Sequence, residues 1–241
     1  MNKNASPHLH TELNEFGQPV GQLLDNWQGV TKPPAQLLTG QHAQLVPVHF
    51  AQHAAALWAL INQEPDASCW SYLPYGPFAT QVIFNDWLKG MLANDLLLYG
   101  IFTEGQILGW CSLMRADTTA GSVEIGHVYY SAGLRRTLAA TEALFLLMQQ
   151  VFTLGYRRCE WKCNSLNEPS RQAAFRLGFQ YEGLFRQATV VKGRNRNTDW
   201  FSILDSEWPQ HEQALRHWLN PDNFNESGQQ KLSLQQCRDC L

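Results

Sequence analysis

Charge is scarce in this chain, and neither sign dominates. Asp, Glu, Lys and Arg make up 16% of 241 residues, and the formal net charge is -3. Binding nucleic acid by bulk electrostatics needs a clear basic excess, so no nucleic-acid partner is expected. Long hydrophobic runs are also missing. The most apolar stretch, Leu138 to Leu154, is interrupted by Glu142 and too short to span a bilayer. The opening MNKNASPHLHTELNEFG offers no apolar core for a secretory signal. The expectation is a soluble, cytoplasmic protein with no membrane partner. Six cysteines lie along the chain without framework spacing, which suits reduced thiols rather than a disulfide scaffold. Cys237 and Cys240 have CxxC spacing but no second ligand pair, and His49 with His53 lacks a matching acidic partner, so no metal is expected.

What is present is material for a core: 44% hydrophobic residues and nine Trp. Residues 1–40, rich in Gly, Pro, Asn and Gln, read as an irregular N-terminal arm. A compact domain is expected over residues 41–209, and a short helix with a flexible tail over 210–241. Within the domain, a strand at Leu45 to Val48 is followed by helices at Ala51 to Ile61 and Val82 to Leu92. Strands follow at Leu96 to Phe102, Ile107 to Met114 and Ser122 to Tyr130. The strongest helical signal is Leu138 to Leu154, where Leu144, Leu147, Met148 and Val151 repeat at helical spacing and Gly155 supplies the stop. Arg157 to Cys163 alternates, with Cys159, Trp161 and Cys163 on one side, as in a half-exposed strand. A helix opening near Pro169 and ending at Gly178 precedes strands at Phe179 to Arg186 and Trp200 to Leu204. This order predicts an α/β (mixed α+β) fold with a central sheet covered by helices.

The stretch YSAGLRRTLAATEA, Tyr130 to Ala143, reads as an anion-binding turn that opens a helix. Backbone N–H groups at a helix start lack partners and carry partial positive charge, which suits a pyrophosphate. Glycine usual in such turns is replaced by Leu138. If position 138 has ordinary helical φ its amide survives, and only side-chain clearance is at issue. The other reading is an amphipathic helix with a basic entrance.

The ordered set of Arg135 to Ala143, RRTLAATEA, with Asn167-Glu168-Pro169-Ser170-Arg171 and Arg176-Leu177-Gly178-Phe179, resembles the GNAT superfamily of acyl-CoA-dependent N-acetyltransferases. The resemblance spans about residues 41–208. It is closest to the branch of the ribosomal-protein N-terminal Ala/Ser acetyltransferases, through an uncharacterised subgroup. It implies a mixed, mostly antiparallel sheet whose fourth and fifth strands, here SVEIGHVYY and RRCEWKC, splay apart. It also implies acetyl-CoA as cosubstrate and a primary amine as acceptor. Arg135, Arg136, Thr137, Leu138, Ala139 and Ala140 would then hold the pyrophosphate. Val128 and Tyr130 would pair with pantetheine as strands pair, and Asn167 would support the same arm.

Glu124 interrupts an apolar run beside the implied gap and is the candidate base; the alternatives are an exposed strand carboxylate or a water relay. His127, an odd number of positions away, is expected on the opposite face. Ser170 is either a helix cap or a proton donor near the thioester sulfur. Trp70, Tyr72 and Tyr75 either wall an acceptor pocket or close the core under a loop. The basic run Lys192 to Arg196 is a solvated turn or faces an anion. The leading function is N-acetyl transfer by direct attack; a non-catalytic acyl-CoA-binding protein is the alternative, kept open by Leu138. A homodimer is left open.

Overall fold

The computed structural model describes residues 11–241; the first ten residues of the expected arm lie outside them. Strands β1 (Thr11–Leu13) and β2 (Pro19–Gly21) form a small exposed hairpin. The following segment is tied to the main body rather than free. The Trp27 indole donates to the Thr119 carbonyl at 2.7 Å, and the Val30 amide bonds to Thr118. Tyr156 and Gln150 donate to the carbonyls of Thr31 and Pro34. The arm ends as β3 (Leu38–Thr39), already part of the main sheet. Two residues are too few to show a strand period in sequence, so the sheet begins earlier than position 41.

The remaining strands are β4 (Gln44–Pro47), β5 (Leu96–Thr103), β6 (Gln106–Asp117), β7 (Ser122–Tyr130), β8 (Arg158–Asn164), β9 (Gln180–Val191) and β10 (Arg194–Leu204). They lie in the order β3-β4-β5-β6-β7-β8-β10-β9. Every neighbouring pair is antiparallel except β7 and β8. This is the mixed, mostly antiparallel sheet that the family resemblance implies. Helices α1 (Phe50–Ile61), α2 (Gln81–Ala93), α3 (Leu138–Thr153), α4 (Glu168–Leu177), α5 (Trp208–Leu219) and α6 (Leu234–Asp239) cover it.

Two apolar clusters hold these layers. One gathers α3, α4 and α5 on the sheet; the other gathers α1, α2 and the aromatic residues 70–87. Helix α3 is buried on nearly all sides, as a helix apolar around its circumference must be. Its buried charge is Glu142, whose carboxylate accepts from the amides of Gln41, His42 and Ala43 at 2.9, 2.5 and 2.7 Å. A side chain at Gly40 would collide with that carboxylate. Glu142 therefore fastens the β3–β4 turn to the central helix.

Helix α4 starts at Asn167, whose side chain accepts from the Ser170 amide, and ends at Gly178 with φ +103°. Glycine suits that position twice. Its φ is left-handed, and a Cβ there would lie 2.6 Å from the His211 ring of α5.

The flexible tail expected after residue 210 is corrected by the structure. Asn223 donates to the carbonyls of Trp218 and Leu232 and accepts from the Leu232 amide. Leu234 and Cys237 are buried in the main core, and the Arg238 guanidinium donates to the Arg176 carbonyl at 2.8 Å. Most of the segment's polar side chains are exposed, but buried Asn223 and Arg238 bond to backbone and tie it down. Cys237 and Cys240 are free thiols.

Two measurements follow from this packing. Glu142→Gln places an amide donor against backbone donors and should cost about 2–3 kcal/mol, read as a lower urea midpoint with unchanged slope. Burial, with Arg238 nearby, pulls the His211 pKa down to about 4 from 6.5. The unfolded chain takes up that proton first, so the stabilisation is complete above about pH 6.5 and lost as pH falls toward 4. The acid limb of stability should start in that window, and His211→Gln should flatten it.

Candidate active site

Strand β7 starts between two partners and keeps one. Its ladder with β6 runs from Ser122 to Tyr130. Its parallel ladder with β8 joins Ser122–Ile125 to Arg158–Trp161 and stops. Strand β8 follows β10 instead, with pairs out to Asn164. Where the strands part, the β6–β7 register shifts between Trp110 and Ser112, and His127 takes φ +51°. Such a bulge bends its strand and redirects side chains. The fourth and fifth strands of the resembling fold are thus splayed here as β7 and β8.

A cavity of about 170 Å³ occupies the opening. Glu124, His127 and Val128 reach it from β7, Lys162 and Cys163 from β8, Asn167 and Ser170 from the start of α4, and Tyr72 from the preceding loop. A second cavity, of about 370 Å³, shares Pro74, Arg115, Glu124, Lys162 and Arg196 with the first and adds residues of the β9–β10 hairpin. The expectation that His127 faces away from Glu124 is therefore overturned. The bulge adds a residue between them and cancels the parity rule for a regular strand. Burial pulls the His127 pKa down to about 4, with Arg115 adding to the effect, so the ring is neutral near pH 7.

Glu124 is buried at the junction of the two cavities. Its Oε2 lies 3.0 Å from Lys162 Nζ and 3.2 Å from Arg115 Nη1. Neither approach has hydrogen-bond geometry, so that oxygen keeps acceptor capacity. Lys162 also pairs with Glu160 at 2.8 Å and sits 3.6 Å from the centroid of the Trp200 ring. The polar side of β8, expected to face solvent, instead forms an ion-pair network. Sequence spacing shows the alternation but not that β9 and β10 cover this face.

Asn167 and Ser170 both reach the cavity. The Ser170 hydroxyl oxygen accepts from the Trp161 indole at 3.1 Å, and the hydroxyl also bonds to the Cys163 sulfur. Burial pushes the Cys163 thiol above its ordinary range, so the cysteine lining this cavity stays protonated.

The predicted anion turn lies at the edge of a third and larger cavity, about 970 Å³, between α3 and α4. Tyr130, Arg135, Arg136, Thr137 and Ala140 line it. Thr137 caps the helix, accepting from the Ala140 amide, and the Tyr130 hydroxyl donates to the Ala140 carbonyl. Positive φ falls on Arg136, at +63°, and not on Leu138, which is the first residue of α3. The leucine therefore occupies ordinary helical backbone. Its side chain packs against the core, and Ala139 is buried, so neither side chain lines the cavity. Arg135 is largely committed: Nε donates to the Tyr130 carbonyl at 2.9 Å and Nη2 pairs with Glu64 at 2.7 Å.

Of the three aromatics expected at the acceptor, Tyr72 alone lines the opening. Trp70 stacks on Tyr129 at 5.2 Å, and Tyr75 packs on Trp87 at 4.5 Å and on the His127 ring at 5.6 Å. Both belong to the second apolar cluster. The reading of aromatics closing a core under a loop holds for these two. Arg115 and Lys162, from different strands, carry no sequence signal as cavity residues, whereas Arg196 comes from the basic run and lines both cavities.

Residues 44–180 match the family of the acetyltransferase (GNAT) domain. A GCN5-related N-acetyltransferase from Brucella melitensis is 44% identical in sequence; the match covers 90% of this chain and 100% of that one, with a TM-score of 0.87. An uncharacterized N-acetyltransferase, p20, from Bacillus licheniformis is 29% identical over 156 residues, 59% of this chain and 84% of that protein. At 19% identity, a likeness of fold alone, stands the Salmonella typhimurium acetyltransferase that modifies the N-terminal serine of ribosomal protein L7/L12. There the TM-score is 0.62, over 70% of this chain and 99% of that one. With its sheet parted between β7 and β8 and more than half its length matched, the chain belongs to the GNAT acetyltransferase family.

Proposed function

We propose that this chain transfers an acetyl group from acetyl-CoA to a primary amine by direct attack. The observation that carries the reading is the end of the β7–β8 ladder at Ile125 and Trp161. It leaves an open edge with Glu124 just before it and the start of α4 across from it. The residues present fit the coenzyme. The first turn of α3 presents the Leu138 and Ala139 amides without intrahelical acceptors, beside Arg136 and a roomy cavity. Val128 on the open edge would pair with pantetheine; the Tyr130 carbonyl is already taken by Arg135. Bound there, acetyl-CoA would supply the thioester that donates the acetyl group.

The chain's own groups then have distinct tasks. Glu124 accepts the proton that the attacking amine sheds as its nitrogen bonds to the acetyl carbon. Ser170 turns its hydroxyl proton from Cys163 toward the departing sulfur as the carbon–sulfur bond breaks. Asn167 fixes the start of α4, and with it Ser170, through its cap on the Ser170 amide. Cys163 remains a thiol, which favours direct transfer over a covalent acyl-enzyme. The helical backbone at Leu138 keeps the amides of the turn compatible with coenzyme binding. The likeness to enzymes of ribosomal-protein N-termini makes an α-amine the first acceptor to try.

Two outcomes check this reading. In single-turnover transfer to a peptide α-amine, Glu124→Gln should slow the reaction about 100-fold near pH 7. The deficit should shrink as pH rises past about 8, where an α-amine sheds its proton unaided; a deficit constant with pH removes Glu124 as the base. Leu138→Gly should leave the acetyl-CoA dissociation constant within a few-fold while lowering stability by about 2–4 kcal/mol, from lost packing and glycine in a helix. Much tighter binding on that substitution would mean that the leucine side chain obstructs the coenzyme.

A further inference from the structure

The ion pairs around the opening almost cancel. Arg115, Arg158 and Lys162 meet Glu124, Glu160 and Glu182, three cations against three carboxylates. His127 adds no charge near neutral pH. Asp199, buried on β10 nearby in sequence, is matched by Arg171. Arg196 is left over. It lines both cavities that meet at Glu124, its Nε is buried, and among the described residues that atom has no acceptor. Burial pulls its pKa below the ordinary arginine value, although Cys163 and Glu124 oppose that shift.

A buried N–H donor without an acceptor is costly unless something supplies one. Solvent does not reach Nε, and the hairpin holds the side chain in place: Arg196 pairs with Thr189 in the ladder, and Lys192 at the hairpin's tip donates to the Trp70 carbonyl at 2.6 Å. The neighbouring cavity has about 370 Å³ of room and opens toward Glu124, where the acceptor's nitrogen would come. A polyamine would bring more positive charge to a place that already has a surplus. An amine with a carboxylate close by would instead pair with Arg196 while its nitrogen approaches Glu124.

We infer that Arg196 selects the acceptor by binding a carboxylate carried near its primary amine. This rests on the acetyltransferase reading, and it makes Arg196 a specificity residue. The carboxylate has two sources, the α-carboxylate of a free amino acid or an acidic side chain close to a peptide N-terminus.

The test uses the full chain and matched pairs that differ only in charge. Serine is set against serinamide, and the amidated peptide Ser-Glu-Ala against Ser-Gln-Ala. Their N-acetylated forms serve as binding probes in thermal shift, a readout independent of turnover. In one arm at least, the carboxylate form should raise the melting temperature more than its neutral twin, and that arm identifies the source. The corresponding amine should be preferred tenfold or more in kcat/KM, read by thiol release from acetyl-CoA. Arg196→Gln should bring both ratios toward one, and Arg196→Lys should retain part of the preference. Twins that behave alike in both arms overturn the inference, as does a preference that survives Arg196→Gln. If Arg196→Gln fails to fold, the wild-type twins and Arg196→Lys still decide. Neutral amines acetylated without preference would overturn this inference and leave the transferase reading standing. Discrimination in binding with no thiol release from any amine would overturn the transferase reading, and with it the assignment of this anion to an acceptor.

Discussion

One constraint organises the molecule: β7 cannot stay with both neighbours. It keeps its ladder to β6 through a bulge at His127, while β8 keeps its ladder to β10. Only four residue pairs join β7 to β8 before they separate. A parallel ladder that stops in mid-sheet leaves backbone groups that need partners, and an extended ligand can supply them as a missing strand would. The rest of the site is arranged around this parting. Helix α3 follows directly from the end of β7, and α4 from the end of β8, so both helix starts face the separated strands.

Electrostatics at the parting follow from burial. Glu124, Lys162 and Glu160 lie in an interior where an unpaired charge is expensive, and they neutralise one another along adjacent strands. His127 meets the same demand differently, by staying neutral. Arg196 meets it only in part: its buried Nε has no acceptor among the described residues. That free donor and the spare acceptor capacity of Glu124 offer two complementary contacts to one small ligand.

Much of this could be read from residue order, and the failures have specific causes. The alternation of Cys159, Trp161 and Cys163 gave a strand, and the spacing of Leu144, Leu147, Met148 and Val151 gave the central helix, because both periodicities are local. The parity argument for His127 failed because a bulge breaks the period of two and carries no clear residue signature here. Trp70 and Tyr75 were ambiguous because an aromatic loop looks the same whether it lines a pocket or roofs a core. The tail was misread because Asn223 and Arg238 spend their polarity on backbone carbonyls of distant segments.

By itself, the amino-acid order determined the succession of helices and strands, the helix start after Arg135 and Arg136, and the family, since each rests on short-range spacing along the chain. Only the tertiary structure decided that Leu138 sits in helical backbone, that Arg135 is held by Glu64, and that Glu124 stands between Lys162 and Arg115. It also decided that Arg196 Nε has no acceptor among the described residues. Those are matters of which strands lie side by side. Charges far apart in sequence meet across a sheet only once its strand order and register are set.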